Sequence, residues 1–306
     1  MRILITGISG AIGSSLTRKL ESDPNIKDLV GVDIKPPQID DFTFYRLHVA
    51  SRKLEDIVKK HDITTIVHLA WMVSQTHNEL EEYRTDILGS ANILEAARKA
   101  NVKHIIVAST GKVYGMHESN DHVFSEDDQL NGEGQLAYVQ YKVMLENLCE
   151  DFSSLNPNIK ITVLRPCTIL GPNVSNPITR RMKKRRVVSL IEYNPRRQFV
   201  DIEDVIEVFY QAIKKRMPGI FNISSDGTVP QHDLHLYLGK KQRILPTKPI
   251  EKLLSFLWKL RLSEINPQAL DYLKYSIIIG NEKLKKEFGY TPKYSTEETL
   301  RRFSNL

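Results

Sequence analysis

The opening stretch ILITGISGAIGSSL constrains this chain more than any other feature. An apolar, β-branched run, Arg2–Thr6, leads into Gly7, Gly10 and Gly13, and these open a helix-periodic stretch, Ala11–Leu20. Glycines in that context serve a tight turn, close backbone approach to a pyrophosphate and close helix packing, while the free amides of the helix start attract the anion. Alone, the pattern also fits a glycine-rich strand-to-helix turn without a ligand. Asp33 narrows the choice. It closes the second predicted strand, Asp28–Asp33, twenty residues beyond Gly13, where a carboxylate can accept hydrogen bonds from adenosine ribose hydroxyls and repel a 2′-phosphate. That favours NAD over NADP, a preference Lys35 softens if it folds over the ribose, and the competing reading of Asp33 is an ordinary strand-end acid.

Strand patterns continue at Phe42–Leu47, Thr64–Leu69, His104–Thr110 and Lys160–Arg165. They alternate with helical patterns at Lys53–Lys60, Leu80–Ala100 and Gln135–Ser153. Strand–helix alternation predicts an α/β fold, a doubly wound parallel sheet of the Rossmann kind, over residues 1–166. Residues 167–306 read as a smaller, mainly substrate-binding region. The segment 197–223, with a strand-like Gln198–Ile202, a helix Glu203–Lys215 and a strand Gly219–Ile223, is expected to return to the first domain. No linker separates the two parts, so ligands belong in the cleft between them.

At 306 residues with 41% hydrophobic content the chain can bury a sizeable core. No apolar run reaches the roughly 18 residues needed to cross a bilayer, so a soluble cytoplasmic protein with no membrane partner is expected. Cys149 and Cys167 are too few for a disulfide framework and form no C-x-x-C pair, and no metal site is predicted. Lys and Arg exceed Asp and Glu by 43 to 37, an excess concentrated in RRMKKRR at Arg180–Arg186. A basic helix near Ile178–Arg186 is read as a solvated face that could rim an anionic ligand site. Without interleaved aromatics it is not read as a nucleic-acid surface.

Tyr138 and Lys142 form Y-x-x-x-K in a helical stretch, which puts both on one face. A phenol with pKa near ~10 is a poor base at neutral pH, but a neighbouring ammonium and a positive nicotinamide ring favour the phenolate. Tyr138 would then take a proton from a substrate hydroxyl as hydride leaves its carbon. Tyr141 competes but faces elsewhere. Thr110, at the end of HIIVASTGKVYG, is the third candidate, placed to hydrogen-bond and polarise the substrate oxygen; strand-end capping by Ser109 and Thr110 is the alternative.

Taken together, TGISGAIG, HLA at His68–Ala70, ASTGKVYG, YVQYK and LRPCTILGP resemble the extended short-chain dehydrogenase/reductase family, known for nucleotide-sugar epimerases and dehydratases. The resemblance covers about two thirds of the chain and continues weakly through RRQFVDIEDV and GIFNIS. It implies an NAD site of Gly7, Gly10, Ala11, Ile12, Gly13, Asp33, Ile34, Val49, Leu69, Ala70, Tyr138, Lys142 and Pro166. It also implies a catalytic set of Thr110, Tyr138 and Lys142, and substrate contacts from Thr110, Thr168 and Arg197. Arg197 falls where the family carries an arginine on the substrate diphosphate, a match to guanidinium geometry, though Arg196 beside it leaves an exposed basic loop as the rival reading. The chain departs from the family at His48, where an acid is common, and at Asp86 and Thr168, where asparagine is.

Family members that eliminate or decarboxylate carry acidic residues directly after the catalytic threonine, whereas this chain has Gly111 and Lys112. The expectation is therefore an NAD-dependent nucleotide-sugar 4-epimerase. An NAD-dependent dehydrogenase or reductase of another secondary alcohol is the runner-up, and a non-catalytic dinucleotide sensor the third reading. Pairing through two long helices, a family habit, suggests a homodimer.

Overall fold

A computed structural model describes residues 1–38, 42–73 and 76–305. The first part of the chain supplies strands β1 (Arg2–Thr6), β2 (Asp28–Asp33), β3 (Thr43–Arg46), β4 (Thr65–His68), β5 (His104–Ala108) and β6 (Lys160–Pro166). The second adds β7 (Thr168–Leu170), β8 (Arg186–Leu190), β9 (Arg196–Arg197), β10 (Phe199–Asp201), β11 (Gly219–Ile223), β12 (Val229–Pro230) and β13 (Lys241–Leu245). Seven of them form one parallel sheet in the order β11-β6-β5-β4-β1-β2-β3, which is the doubly wound arrangement expected. Continuously apolar strands such as Ile3–Ile5 and Ile105–Val107 are covered on both faces, the condition a parallel sheet requires.

Side chains alternating along the strands divide the core. Ile3, Ile5, Val67, Ile106 and Leu164 pack in one cluster with residues of the helices Ala11–Glu21 and Ile202–Lys215. Leu4, Val30, Ile66, Ile105 and Val163 pack with residues of Lys53–Lys60, Gly89–Lys99 and Ala137–Leu155. In register, Thr6 lies beside both Val32 and His68, His68 beside Val107, and Ala108 beside Leu164. The strands therefore end together, and the order reverses between β1 and β4, the switch point at which open α/β sheets bind ligands.

The remaining strands pair in twos, β7 with β10, β8 with β13 and β9 with β12, around a separate core that includes Leu170, Met182, Phe199, Leu300 and Phe303. The basic helix expected at Ile178–Arg186 runs only over Pro177–Met182, and the chain then turns into β8. Another turn would stack Lys183–Arg186 on Met182's neighbours Arg180 and Arg181, like charges at helical spacing, whereas Val187, Ser189 and Leu190 are buried as a strand. The strand read as His104–Thr110 stops at Ala108, and Thr110 caps the following turn, accepting from the Lys112 amide. The helix read as Leu80–Ala100 contains one π-turn, Arg84–Leu88, which buries Asp86. No helix among the described residues is long and apolar enough to cross a membrane, and no cluster of metal-ligating side chains occurs among them.

Two buried histidines give the sheet a pH dependence. His68 sits between the hydroxyls of Thr6 (2.7 Å) and Ser90 (2.9 Å), and His104 meets Thr162 at 2.7 Å. Burial lowers both, to about 3 for His68 and about 4 for His104. Both are thus neutral in the fold, and the unfolded chain protonates them first. Their contribution is complete above the unfolded value of ~6.5 and is lost as pH falls toward 4, at about 1.4 kcal/mol per pH unit for each. Thermal unfolding followed between pH 7 and 4.5 should show a shallower acid loss in His104→Gln than in the parent chain.

Candidate active site

The turn after β1 is built so that only glycine fits. Gly7 has φ +71°, and a Cβ there would lie 2.6 Å from the Ala70 amide nitrogen; a Cβ on Gly13 would lie 2.5 Å from the Gly7 carbonyl. The loop thus presses against the end of β4, and the helix Ala11–Glu21 packs onto the loop. Gly10 precedes this helix and no side chain caps it, so the amides of Ala11, Ile12 and Gly13 have no intrahelical acceptor and face the loop. This cradle suits a dinucleotide pyrophosphate. Asp33 accepts from the amides of Ser9 and Lys35, both at 3.0 Å, which holds its carboxylate at the rim with lone pairs to spare for ribose hydroxyls. Ile34 beside it is exposed, Val49 is buried against Gly89, and Leu69 and Ala70 back Gly7. His68 of the HLA run is a brace: neutral, it ties β4 to Thr6, whose hydroxyl also takes the Ala70 amide at 3.3 Å.

Thr110 and Tyr138 meet at the end of β5. Tyr138 is the second residue of the helix Ala137–Leu155, Lys142 lies one turn further, and the Thr110 hydroxyl lies near enough to the phenol to favour its ionised form. Burial pushes the Tyr138 phenol up to about 12, with the Thr110 hydroxyl opposing. The Lys142 ammonium donates to the Ala108 carbonyl at 2.5 Å and stands 3.4 Å from the centre of the Trp71 ring. The ammonium expected beside the phenol is therefore anchored on a strand-end carbonyl and an indole face, because the helix places it against β5. Burial lowers Lys142, and the charges of Asp86 and then Glu146 oppose that. Asp86, the departure from the family's asparagine, itself accepts the Met72 amide at 2.8 Å. His48, the other departure, bonds Thr85 at 3.1 Å and receives the Ala50 amide at 3.1 Å.

Behind Thr110 lies a buried ionic network. Glu146 takes Arg165 through both oxygens, the shortest contact being 2.6 Å, and accepts the Ser109 hydroxyl. Arg165 also donates to Tyr114 at 2.7 Å, and Tyr114 to Asn222 at 2.8 Å. The arginine of LRPC and the tyrosine of VYG thus hold the sheet edge that carries Thr110.

Next to this edge is a pocket lined by Lys112, Thr168, Arg197, Gln198, Tyr272 and Tyr275, among others. Arg197 is 3% exposed; it donates to Gln231 at 2.7 Å and to the Tyr275 carbonyl at 3.2 Å, and its guanidinium lies 4.2 Å from the Tyr272 ring centre. One terminal nitrogen, Nη2, has no partner. Burial lowers Arg197 to about 10 and, with the charges of Arg197 and Arg181, lowers Lys112 to about 8. Arg181 is lowered too, by burial and Arg180. Arg196 also lines the pocket but is exposed and bonded to Thr228. Thr168 meets the Tyr272 hydroxyl at 3.1 Å. Cations gathered in a pocket without an acid facing them are the arrangement that receives an anion.

Sequence reasoning passed over Lys112 and Tyr272. Lys112 lies 5.7 Å from the Tyr138 ring centre and 5.0 Å from that of Tyr272. The mismatch between Lys112 and the usual acidic residues was its one visible signal, and Tyr272 sits in a stretch with no motif.

Sheet and glycine cradle together define a dinucleotide-binding α/β protein, with Thr110 and Tyr138 near the end of β5. The chain belongs to the NAD-dependent epimerase/dehydratase family, whose profile matches residues 3–224. NAD is the cofactor of that family, and the cradle fits it. An uncharacterized protein of Mycobacterium tuberculosis (strain ATCC 25618 / H37Rv) is 22% identical over 97% of this chain and 82% of its own length. Among solved structures, UDP-glucose 4-epimerase from Thermotoga maritima with UDP-glucose is similar at a TM-score of 0.80 and 23% identity, covering 100% of this chain and 98% of that one. MoeE5 with UDP-glucose and NAD follows at 0.78 and 22%, with 100% and 98% covered. The dTDP-glucose 4,6-dehydratase of Bacillus anthracis str. Ames with NAD gives 0.78 and 18%, with 100% and 96% covered. At these identities the likeness is one of fold.

Proposed function

We propose that this protein is an NAD-dependent nucleotide-sugar epimerase that inverts a hydroxyl-bearing carbon by transient oxidation. The observation that carries the reading is Arg197, a buried guanidinium with an unpaired nitrogen, in a cationic pocket whose Lys112 lies 5.7 Å from the Tyr138 ring centre. A nucleoside diphosphate supplies the missing anion, and its sugar then reaches the phenol.

In this reading Gly7, Gly10, Ala11, Ile12 and Gly13 hold the cofactor pyrophosphate and Asp33 the adenosine ribose. Bound NAD supplies a hydride acceptor and donor for the sugar carbon. Thr110 orients the sugar hydroxyl, and Tyr138 accepts its proton and later returns one. A phenol at about 12 needs positive charge to act near neutral pH; in this reading Lys112, 5.7 Å from the ring, and the bound nicotinamide would give it, while Lys142 stays anchored on the Ala108 carbonyl. Thr168 and Arg197 hold the diphosphate. Gly111 and Lys112 provide no carboxylate beside Tyr138, which favours epimerisation over elimination.

To test this, the purified protein is denatured and its extract assayed for NAD, and the native protein is incubated with UDP-hexoses while the epimer ratio is followed by NMR. Retained NAD with interconversion of one epimer pair supports the proposal. An empty enzyme that reduces external NAD with an alcohol replaces it by a dehydrogenase. Arg197→Gln should raise KM by roughly 10- to 100-fold with kcat little changed, since a hydrogen bond to a charged group is worth about 1.5–3 kcal/mol. The protein is also taken to be a homodimer, because Leu80, Leu88 and Met144 are exposed on the helical segment 79–99 and the helix Ala137–Leu155. Sedimentation equilibrium should give twice the 35.2 kDa chain mass.

A further inference from the structure

The segment from Lys241 to Leu262 belongs to neither the cofactor cradle nor the substrate pocket, yet its surface is unusual. In the β8–β13 pair Lys241 lies opposite Arg186 and Arg243 opposite Val188, so these exposed side chains share one face of the ribbon. The helix Thr247–Lys259 follows. Ile250, Leu254 and Trp258 recur every four residues on its partly buried side, where Trp258 packs on His77 with ring centres 3.9 Å apart. Its outer side carries Leu253, Phe256 and Leu260, exposed by 51%, 61% and 51%, and Leu262 just beyond is 72% exposed. Lys248, Lys252 and Lys259, at spacings of four and seven, run along one flank of this apolar stripe.

Charge decides what covers the stripe. Between residues 241 and 262 there are six cations and one acid, Glu251, and Glu251 pairs with Lys274 on the inner side. None of the six takes part in a salt bridge among the described residues. A second copy across a two-fold axis would set this face against itself, cations toward cations. An anionic bilayer meets both demands: acyl chains take the leucines and Phe256, and headgroups take the flanking lysines. The expectation of no membrane partner rested on apolar run length, which tests for a spanning helix and not for one lying in the interfacial plane.

We propose that the helix Thr247–Lys259 and the adjoining β13 edge form an in-plane docking element that seats this protein on an anionic phospholipid surface. The test is co-sedimentation of the full chain with vesicles of phosphatidylcholine alone or mixed in equal parts with phosphatidylglycerol. Binding is expected to the anionic vesicles, weakening as salt rises. Lys252→Gln combined with Lys259→Gln should weaken it roughly 25-fold, at about fivefold per charge. Phe256→Asp with Leu260→Asp should abolish it while leaving the thermal unfolding curve unchanged, and Tyr138→Phe should bind as the parent does. The proposal is overturned if the parent fails to bind anionic vesicles at low salt or if the aspartate pair binds undiminished. It is equally overturned if light scattering shows a dimer that the aspartate pair splits, with no vesicle binding by either form.

Discussion

Tyr138→Phe should lower kcat by roughly 10²- to 10⁴-fold, the range associated with loss of a positioned acid–base group, while the cofactor cradle stays intact. Phenylalanine keeps the ring and its packing in the first turn of the helix Ala137–Leu155 and removes only the phenol oxygen, on which Thr110 acts. The decisive readout is therefore split. Epimer interconversion collapses, but NAD content after denaturation and KM for the nucleotide sugar change little, because Gly7–Gly13, Asp33 and Arg197 are untouched. Retained activity in this variant would move the proton to another group and refute the role given to Tyr138. Lys112→Met offers a companion measurement: with one cation removed from the neighbourhood of the phenol, the kcat profile should shift to higher pH, and KM should rise as well because Lys112 lines the anion pocket.

Glu146→Ala should cost about 3–5 kcal/mol of stability, which is a large part of a domain's usual ~5–15 kcal/mol. Arg165 is 2% exposed and its guanidinium is held by both Glu146 oxygens. Removing the carboxylate leaves a buried positive charge without a counterion and frees the Ser109 hydroxyl as well. The unfolding midpoint, read by circular dichroism, should fall by roughly 10 °C. Replacing both partners, Glu146→Met with Arg165→Met, removes the stranded charge and should recover much of that loss. If the single and double variants melted alike, the cost would lie in packing rather than in charge.

The glycine loop shows why part of this site was readable in the chain alone. Close approach of backbone to backbone, as between Gly7 and Ala70 or Gly13 and Gly7, admits one residue type, so the constraint is written into the sequence. The spacing of Tyr138 and Lys142 was readable for a related reason, since helix geometry fixes which side chains share a face. Spacing did not reveal where each side chain points. Lys142 reaches the Ala108 carbonyl and Trp71, and Lys112, from a turn after β5, is the cation found near the Tyr138 ring.

Charge runs were the least legible. RRMKKRR reads as one basic helix, but Val187, Ser189 and Leu190 are drawn into a strand beside β13, a partner some fifty residues away, and this pairing ends the helix at Met182. Arg196 and Arg197 are indistinguishable as neighbours in the chain; pairing of β9 with β12 turns one to Thr228 at the surface and the other beneath Tyr272. The sequence by itself determined the parallel sheet, the phosphate cradle and the helix bearing Tyr138, because each depends on short-range backbone and periodicity rules. The anion pocket, the Lys142 anchor and the exposed apolar face of Thr247–Lys259 were decided only by the tertiary structure, since burial of a charge and direction of a side chain come from distant segments brought together by packing.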